Sequence, residues 1–198
     1  EFNATRMEEI VANEEAKHMF RRFAERLLCY DLIEQKNPML VLGGIPSITM
    51  ADGKPCTGKS MLIAAVATML KERCEVPNMP FLCWPLPEHM ISTFQGGSAE
   101  RAIEWFRPMQ DTGKIVFAPI DDAENNLEER TRQGVSAGVR EFIGVFLRNT
   151  EGAYAVNHGN RMNSLFTNIP DQIDKAVLSR IQVRVSMEGA KRFEELYV

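Results

Sequence analysis

The sequence has no long hydrophobic run. No apolar stretch approaches the roughly 20 residues that a membrane-spanning helix needs, so the chain is not expected to interact with a membrane. Its 198 residues suffice for one well-cored domain, and any second domain would have to be small. Hydrophobic residues make up 44% of the chain and charged residues 25%, which are the proportions of an ordinary globular protein.

The sequence also lacks an excess of positive charge. Its 23 lysines and arginines are outnumbered by 27 acidic residues, and the formal net charge is −4. Surfaces that bind nucleic acid or anionic lipid are built from clustered basic residues. The overall charge gives no indication of such a surface, so neither a nucleic acid nor a membrane is the expected partner.

Cysteines are few and follow no pairing pattern. The four are Cys29, Cys56, Cys74 and Cys83, and no two have the C-x-x-C spacing of a zinc or redox site. Unpatterned thiols fit a reducing compartment, and we expect a cytoplasmic protein. The three histidines have no partners at metal-ligand spacing, so we interpret them as surface or packing residues.

What the sequence does contain is a phosphate-binding loop between a strand and a helix. Gly53 to Ser60 reads G-K-P-C-T-G-K-S and matches the P-loop pattern G-x-x-x-x-G-K-[ST]. A β-prone run at 47–51 precedes the loop, and a helical segment from Lys59 to about Glu72 follows it. This arrangement aims backbone N–H groups and a helix N-terminus at one point, where phosphates bind.

Different side chains of the loop would bind different parts of a nucleoside triphosphate and its metal ion. Lys59 would reach the outer phosphates, and the Ser60 hydroxyl would ligate Mg²⁺. The other residues of this segment that we expect to contact the nucleotide are Gly53, Pro55, Cys56, Thr57, Gly58 and Met61.

Strand and helix patterns alternate through the rest of the chain. Further strands are predicted at 81–84, 114–120, 164–167 and 182–186, and helices at 14–30, 85–92, 99–106, 135–148 and 171–179. Asn13 is the predicted N-cap of the first helix, and 159–163 is predicted as an exposed turn. Strands separated by helices form βαβ units. We expect one α/β domain over 1–198, a three-layer αβα P-loop NTPase fold with a mainly parallel five-stranded sheet.

The strand at 114–120 runs directly into acidic residues. Phosphoryl transfer needs Mg²⁺ held from a strand beside the P-loop, and Asp121 would hold it through water. Asp122 would polarise the attacking water, with Glu124 as the alternative because Asp122 is one methylene shorter than the usual glutamate. Pro119 cannot donate a ladder hydrogen bond and is unexpected in a central strand. An acidic turn without a catalytic role is the competing interpretation.

At these motifs the chain resembles the AAA+ ATPases, and the resemblance extends over nearly all of it. The phosphate loop is present, with Lys54 and Cys56 in place of the more usual proline and glycine. The resemblance implies ATP as the nucleotide and Mg²⁺ as the metal. Residues 7–17 are similar to the family's N-terminal segment, whose apolar residues lie against adenine. The residues to which that contact carries over are Ile10, Val11 and Ala12.

A second block, 165–180, resembles the family's sensor-1 stretch and its arginine finger. By that match Asn168 would orient the water beside the γ-phosphate, and Arg180 would reach the nucleotide site of the next subunit. An asparagine at a strand end can bond a phosphate or water, and an arginine can stabilise transferring phosphoryl charge. The alternatives are turn chemistry for Asn168 and a helix-end contact for Arg180. Ile169 replaces the lysine of the guanine-reading N-K-x-D motif, which argues against a GTPase.

Phe94 stands beside two glycines between two predicted helices. An exposed aromatic is costly unless it meets a partner, and this loop resembles the pore loop of AAA+ rings that thread proteins. A Phe94 that folds back onto the core is the alternative. The resemblance implies a homo-oligomer, a hexameric ring that remodels or threads a protein substrate.

Two other functions stay open at this point. One is a nucleotide-operated switch or loader on a nucleic-acid machine, and the other is a degenerate ATP-binding scaffold, for which Pro119 and Asp122 speak. The family usually carries a helical lid after its last strand. Only Glu188 to Val198 follow that strand here, so the lid is expected to be absent or truncated.

Overall fold

The structure is built on one parallel sheet. A computed structural model describes residues 3–151 and 155–190. Its strands are β1 (Ile48–Asp52), β2 (Phe81–Cys83), β3 (Ile115–Ile120), β4 (Arg161–Thr167) and β5 (Val183–Ser186). They lie in the order β2-β3-β4-β1-β5, and every neighbouring pair is parallel. The predicted α/β fold with a parallel five-stranded sheet is confirmed.

Helices cover both faces of this sheet. In the described chain they are α1 (Glu14–Leu27), α2 (Lys59–Glu75), α3 (Gly97–Phe106), α4 (Ala137–Thr150) and α5 (Lys175–Leu178). Alternate residues of β3 enter two separate cores. Phe117 packs in the core that contains α1 and α2, whereas Val116 and Ala118 pack in the core that contains α3 and α4. The molecule therefore has the three layers of a P-loop NTPase.

The strand order decides which loops become neighbours. β1 lies between β4 and β5, and β4 lies between β1 and β3. Because all strands are parallel, their carboxyl ends meet at one edge of the sheet. The Gly53 N–H donates to the Thr167 carbonyl over 3.1 Å, which joins the loop after β1 to the end of β4.

Pro119 lies inside the central strand β3 despite lacking an N–H. The carbonyls of Phe117 and Pro119 face β2 and accept from the N–H groups of Trp84 (2.8 Å) and Leu86 (3.1 Å). The paired part of β2 ends at Cys83, opposite Phe117. Pro119 thus keeps its accepting bond, and its missing donor falls beyond the last residue of β2 that pairs in register with β3, where a proline is tolerated.

Two predicted elements are wrong. The segment 85–92 contains no helix, and its two prolines disfavour a helical conformation in the residue before each. The range 159–163 is not an exposed turn, because β4 begins at Arg161 and is buried throughout. The side-chain amides of Asn160 and Asn163 donate to backbone carbonyls of neighbouring segments, and such bonds allow polar residues to be buried.

The last helix is also shorter than predicted. A 3₁₀ turn at Pro170–Gln172 precedes α5, and the Asp174 carboxylate caps α5 by accepting from the Ala176 N–H. Residues from 191 onward lie outside the described residues, so the expectation about the lid stays a prediction. No helix of the described ranges is long and apolar enough to span a membrane.

Candidate functional site

The loop between β1 and α2 turns through two residues in the left-handed backbone region. Cys56 has φ 65° and Gly58 has φ 95°. The left-handed conformation is free for glycine but costs a residue such as cysteine about 1 kcal/mol. The Thr57 hydroxyl closes the turn by donating to the Lys54 carbonyl at 2.9 Å. Helix α2 then begins at Lys59 as predicted, and its first N–H groups have no partners within the helix.

The start of the loop is fixed by β5 and the residues after it. The Met187 N–H donates to the Asp52 carbonyl at 2.6 Å, and a Cβ at Gly53 would collide with the Met187 carbonyl oxygen. The buried Asp52 carboxylate accepts from Arg184 Nε (2.7 Å) and Ser186 Oγ (3.2 Å). Only glycine fits at position 53, whatever its role toward a ligand.

Lys59 is buried, with 6% of its surface exposed. Its ammonium donates to the carbonyls of Gly53 (2.7 Å) and Lys54 (2.8 Å). No described residue provides it with a carboxylate, although buried charges are normally paired. An anion inside the loop would supply that pairing.

A chain of hydrogen bonds joins the P-loop helix to the ends of β3 and β4. Ser60 Oγ donates to Asp121 Oδ2 at 3.0 Å, and Asp121 Oδ1 accepts from the Asp122 N–H at 3.1 Å. Asn168 Nδ2 donates to Asp122 Oδ1 at 2.8 Å. Four residues that the sequence placed in three separate motifs therefore lie together. Asp122 has φ 45°, and such strained backbone tends to occur at functional sites.

Glu124 is anchored differently from Asp122. It is buried at 9% exposure, and its Oε2 accepts from Thr167 Oγ1 at 2.6 Å. Its Oε1 accepts from the N–H and the Nδ2 of Asn168, both at 3.2 Å. Both Glu124 oxygens are used to hold the end of β4, whereas Asp122 is exposed. Nothing in the sequence pattern indicated this anchoring role.

The donor set fits Mg²⁺ better than a metal held by protein alone. Among the described residues, no group of three or more His, Cys, Asp or Glu side chains is arranged to hold a metal ion. Mg²⁺ usually takes one or two carboxylates together with water and substrate phosphates. The oxygens of Ser60 and Asp121, 3.0 Å apart, are suited to that mode of binding.

The N-terminal segment is bonded directly to the loop through Asn13. Asn13 Nδ2 donates to the Thr57 carbonyl at 2.8 Å, and its Oδ1 accepts from the Gly189 N–H at 3.1 Å. Asn13 is the N-cap residue of α1, as predicted, but its side chain makes no capping hydrogen bond to that helix. Asn13 has φ 64°, a backbone conformation that asparagine tolerates better than most residues. That tolerance was the signal in the sequence that could have marked Asn13 as a special position.

The three residues before Asn13 divide between core and surface. Ile10 and Ala12 are buried, whereas 40% of Val11 is exposed. Pro55 and Cys56 of the loop and Ser60 and Met61 at the start of α2 are also exposed. Of the apolar trio, Val11 is therefore the residue that a ligand beside the loop can reach without displacing the core.

Comparison with known proteins identifies the family of this chain. The sequence model of the ATPase family associated with various cellular activities (AAA) matches residues 50–188. The chain belongs to the AAA family of ATPases. That range runs from β1 to just beyond β5, so the family match covers every strand except the first residues of β1.

The fold of this chain is also similar to that of solved structures. A chain of the Escherichia coli MS115-1 HORMA:CdnC:Trip13 complex matches with a TM-score of 0.70 over 90% of this chain, at 14% sequence identity. At that identity the likeness shows the fold alone. The present chain spans 63% of the length of that chain. No curated protein matches the sequence.

Arg180 of this AAA domain lies two residues beyond the end of α5. Its Nη1 donates to the Ala176 carbonyl at 2.8 Å, and its Nε lies 3.4 Å from Glu151 Oε2. Both contacts lie within the chain, as in the helix-end alternative. The reach to a neighbouring subunit stays a prediction.

Phe94 does not fold back onto the core, since 79% of it is exposed. Hydrogen bonds hold the surrounding backbone: the Phe94 N–H donates to Ser92 Oγ (3.1 Å) and its carbonyl accepts from the Gly97 N–H (3.1 Å). The Gly96 N–H donates to Glu141 Oε1 at 2.8 Å. The AAA domain therefore presents the ring to solvent on an ordered loop.

Proposed function

We propose that this AAA domain binds ATP with Mg²⁺ and hydrolyses it within a homo-oligomeric ring. The observation that carries the proposal is the chain of hydrogen bonds from Ser60 through Asp121 and Asp122 to Asn168. Phosphoryl transfer is catalysed mainly by positioning and by electrostatic stabilisation. These residues, with the buried ammonium of Lys59, place the required groups at one edge of the sheet.

Each residue would have one task at the phosphates. Lys59 would bind the outer phosphates, for which it would exchange its carbonyl partners in the loop. Ser60 and Asp121 would hold Mg²⁺, which when bound neutralises phosphate charge and polarises the γ-phosphoryl group. Asn168 would orient the attacking water. Val11 and its neighbours Ile10 and Ala12 would lie beside adenine.

Asp122 is the proposed acceptor of a hydrogen bond from the attacking water. Its carboxylate is exposed and receives one side-chain bond, from Asn168. Glu124 would have to release Thr167 and Asn168 to do the same. We therefore assign Glu124 to positioning Asn168 and keep the water-polarising role for Asp122.

The proposed substrate of the ring is a protein. Support comes from Phe94, whose exposed ring on a bonded loop suits contact with a polypeptide, and from the net charge of −4. One solved structure that matches is a complex of Trip13 with HORMA and CdnC, and a protein partner for the present chain would agree with it. We also propose a hexamer, one AAA core domain over 1–198 and a cytoplasmic location, the last because all four cysteines are free thiols.

Stimulated ATP turnover tests the choice of substrate. An unfolded polypeptide should raise the steady-state turnover of the full chain, and Phe94→Ala should remove the stimulation while keeping basal turnover. Ile33→Ala is the matched control, because it shortens another exposed apolar side chain away from this loop. Stimulation by DNA in place of polypeptide would contradict the proposal and favour a nucleic-acid loader.

A further inference from the structure

The described part of the chain buries two cations, Lys59 and Arg161. The first lies in the P-loop, where a nucleotide phosphate accounts for it. Arg161 begins β4 at the opposite edge of the sheet, and 4% of it is exposed. The seven residues of β4 separate the two edges by about 20 Å. The nucleotide site therefore does not account for Arg161.

Among the described residues, little balances the charge of Arg161. Its Nη2 donates to the Asn149 carbonyl at 2.5 Å, and no described residue offers it a carboxylate. Burial lowers the pKa of this guanidinium. A carbonyl in the last turn of α4 carries part of the negative end of the helix dipole, but a guanidinium has five N–H donors and a full charge. Stabilising the end of α4 thus explains only part of this arrangement.

A cavity of about 320 Å³ has Arg161 in its lining. Among the described residues, those that line it are Gln110, Asn149, Val156, His158 and Arg161, and all of these except Val156 have polar side chains. The volume suits a small molecule, and a guanidinium fork matches the oxygens of carboxylate or phosphate. We propose that this cavity is a second ligand site, which binds a small oxyanion with Arg161 as its charged partner.

Anion-dependent thermal unfolding of the full chain tests the site. The measurement compares Lys59→Ala with Lys59→Ala/Arg161→Met, because removing the P-loop ammonium suppresses phosphate binding at the other edge. Inorganic phosphate is titrated against chloride at equal ionic strength. In the single variant the folded-to-unfolded ratio should rise about 11-fold at ten times Kd, and the rise should saturate. In the double variant the saturable rise should be absent.

Two further arms complete the test. Acetate replaces phosphate in a parallel titration, and the tighter of the two anions identifies the ligand as a carboxylate or a phosphate. If Arg161→Met does not fold, Lys59→Ala/Gln110→Ala/His158→Ala takes its place, since it keeps the guanidinium and removes two lining side chains. Its affinity should be at least tenfold weaker. Equal anion responses in Lys59→Ala and in the variant compared with it would overturn the proposal, as would the absence of a saturable response to either anion in Lys59→Ala. Arg161 would then have only the structural role of donating to the end of α4.

Discussion

At the scale of single residues, the nucleotide site is marked by a buried positive charge that has no acidic partner among the described residues. Lys59 has carbonyl partners but no carboxylate among the described residues. The buried acids near it are matched, since Asp52 pairs with Arg184 and Glu124 receives bonds from Thr167 and Asn168. Positive charge is therefore left for a ligand on the P-loop side.

Thiol chemistry provides a direct test of nucleotide binding. Cys56 in the loop and Cys29 beyond α1 are both exposed, whereas burial raises the pKa of Cys74 and Cys83 to about 11 and keeps them unreactive at neutral pH. MgATP at ten times Kd should slow alkylation of Cys56 about tenfold, because only the free fraction reacts. Mass spectrometry of the alkylated peptides measures both rates.

Cys29 is the internal control for that experiment, and its rate should not change. Lys59→Ala should weaken ATP binding at least tenfold, about 1.4 kcal/mol, and remove most of the protection at the same ATP concentration. Unprotected Cys56 in the wild-type chain, or equal slowing of both thiols, would contradict the P-loop assignment.

The two acidic residues after Asp121 should respond differently to amide substitution. Asp122→Asn should keep ATP binding and lower turnover by about 10²- to 10⁴-fold, the usual contribution of a group that takes a proton in catalysis. Glu124→Gln loses a buried charged acceptor and should cost about 1–3 kcal/mol of folding stability, or a few degrees in Tm for a chain of this size. Turnover, ATP binding and thermal unfolding of both variants separate the roles.

The outcome that would reverse these assignments is specific. If Glu124→Gln abolishes turnover at an unchanged Tm while Asp122→Asn stays active, then Glu124 is the residue that polarises the water.

The sequence predicted much of the site residue by residue and failed where a role depends on distant contacts. The P-loop could be predicted because all its groups lie in one short segment. Asn13 could not, because its partners Thr57 and Gly189 are 44 and 176 positions away. The anchoring role of Glu124 was hidden for the same reason, since it depends on the end of β4.

At the scale of elements, buried apolar strands were the easiest features to predict, and polar strand ends the hardest. β3 is apolar throughout, and the sequence placed it to within one residue. β4 begins with Arg161, Met162 and Asn163, whose two polar members read as a turn. The order of the strands in the sheet could not be predicted from local sequence patterns, although that order is what brings Asp121 and Asn168 together.

A partly buried ion pair joins the start of α5 to the segment that follows β3, and it gives a prediction about acid stability. Asp174 caps α5 and accepts from Arg130 Nε at 2.8 Å and Nη2 at 3.1 Å. Burial alone would raise the pKa of Asp174, but the bonds from Arg130 and the backbone outweigh it, and the pKa is lowered. The stability from this pair is therefore present above the carboxylate's unfolded pKa and is lost as pH falls through the folded value.

Unfolding by urea between pH 2 and pH 6 measures this effect. The wild-type free energy of unfolding should fall on acidification, and Asp174→Asn should flatten part of that fall while lowering stability near pH 6. Glu128→Gln is the matched control, because its pair with Arg132 is half-exposed and exposed pairs contribute little. An acid limb as steep in Asp174→Asn as in wild type would contradict the assignment.

At the scale of the whole molecule, the proposed ring requires that one subunit complete the site of the next. Arg180 contacts Ala176 and Glu151 within its own chain. To reach a neighbour it would have to leave Glu151, whose side chain is about half exposed at 49%. This exchange is feasible because a partly exposed ion pair contributes little to stability.

Mixing two inactive variants tests whether the site is shared. Arg180→Ala should spare ATP binding yet lower turnover about 10³-fold or more, the scale reported for arginine fingers in related chemistry. A mixture of Arg180→Ala with Lys59→Ala subunits contains interfaces with an intact loop and an intact finger, and turnover should recover there. An inactive mixture with demonstrated co-assembly would return Arg180 to a helix-end role.

The most direct test of the central claim is steady-state ATP turnover of the full chain as a function of protein concentration. We expect Mg²⁺-dependent turnover whose rate per subunit rises with protein concentration and reaches a plateau, because hydrolysis requires assembled neighbours. Lys59→Ala should show none of it at any concentration. A rate per subunit that is independent of concentration would contradict the shared site, and no turnover above that of Lys59→Ala would contradict the ATPase itself.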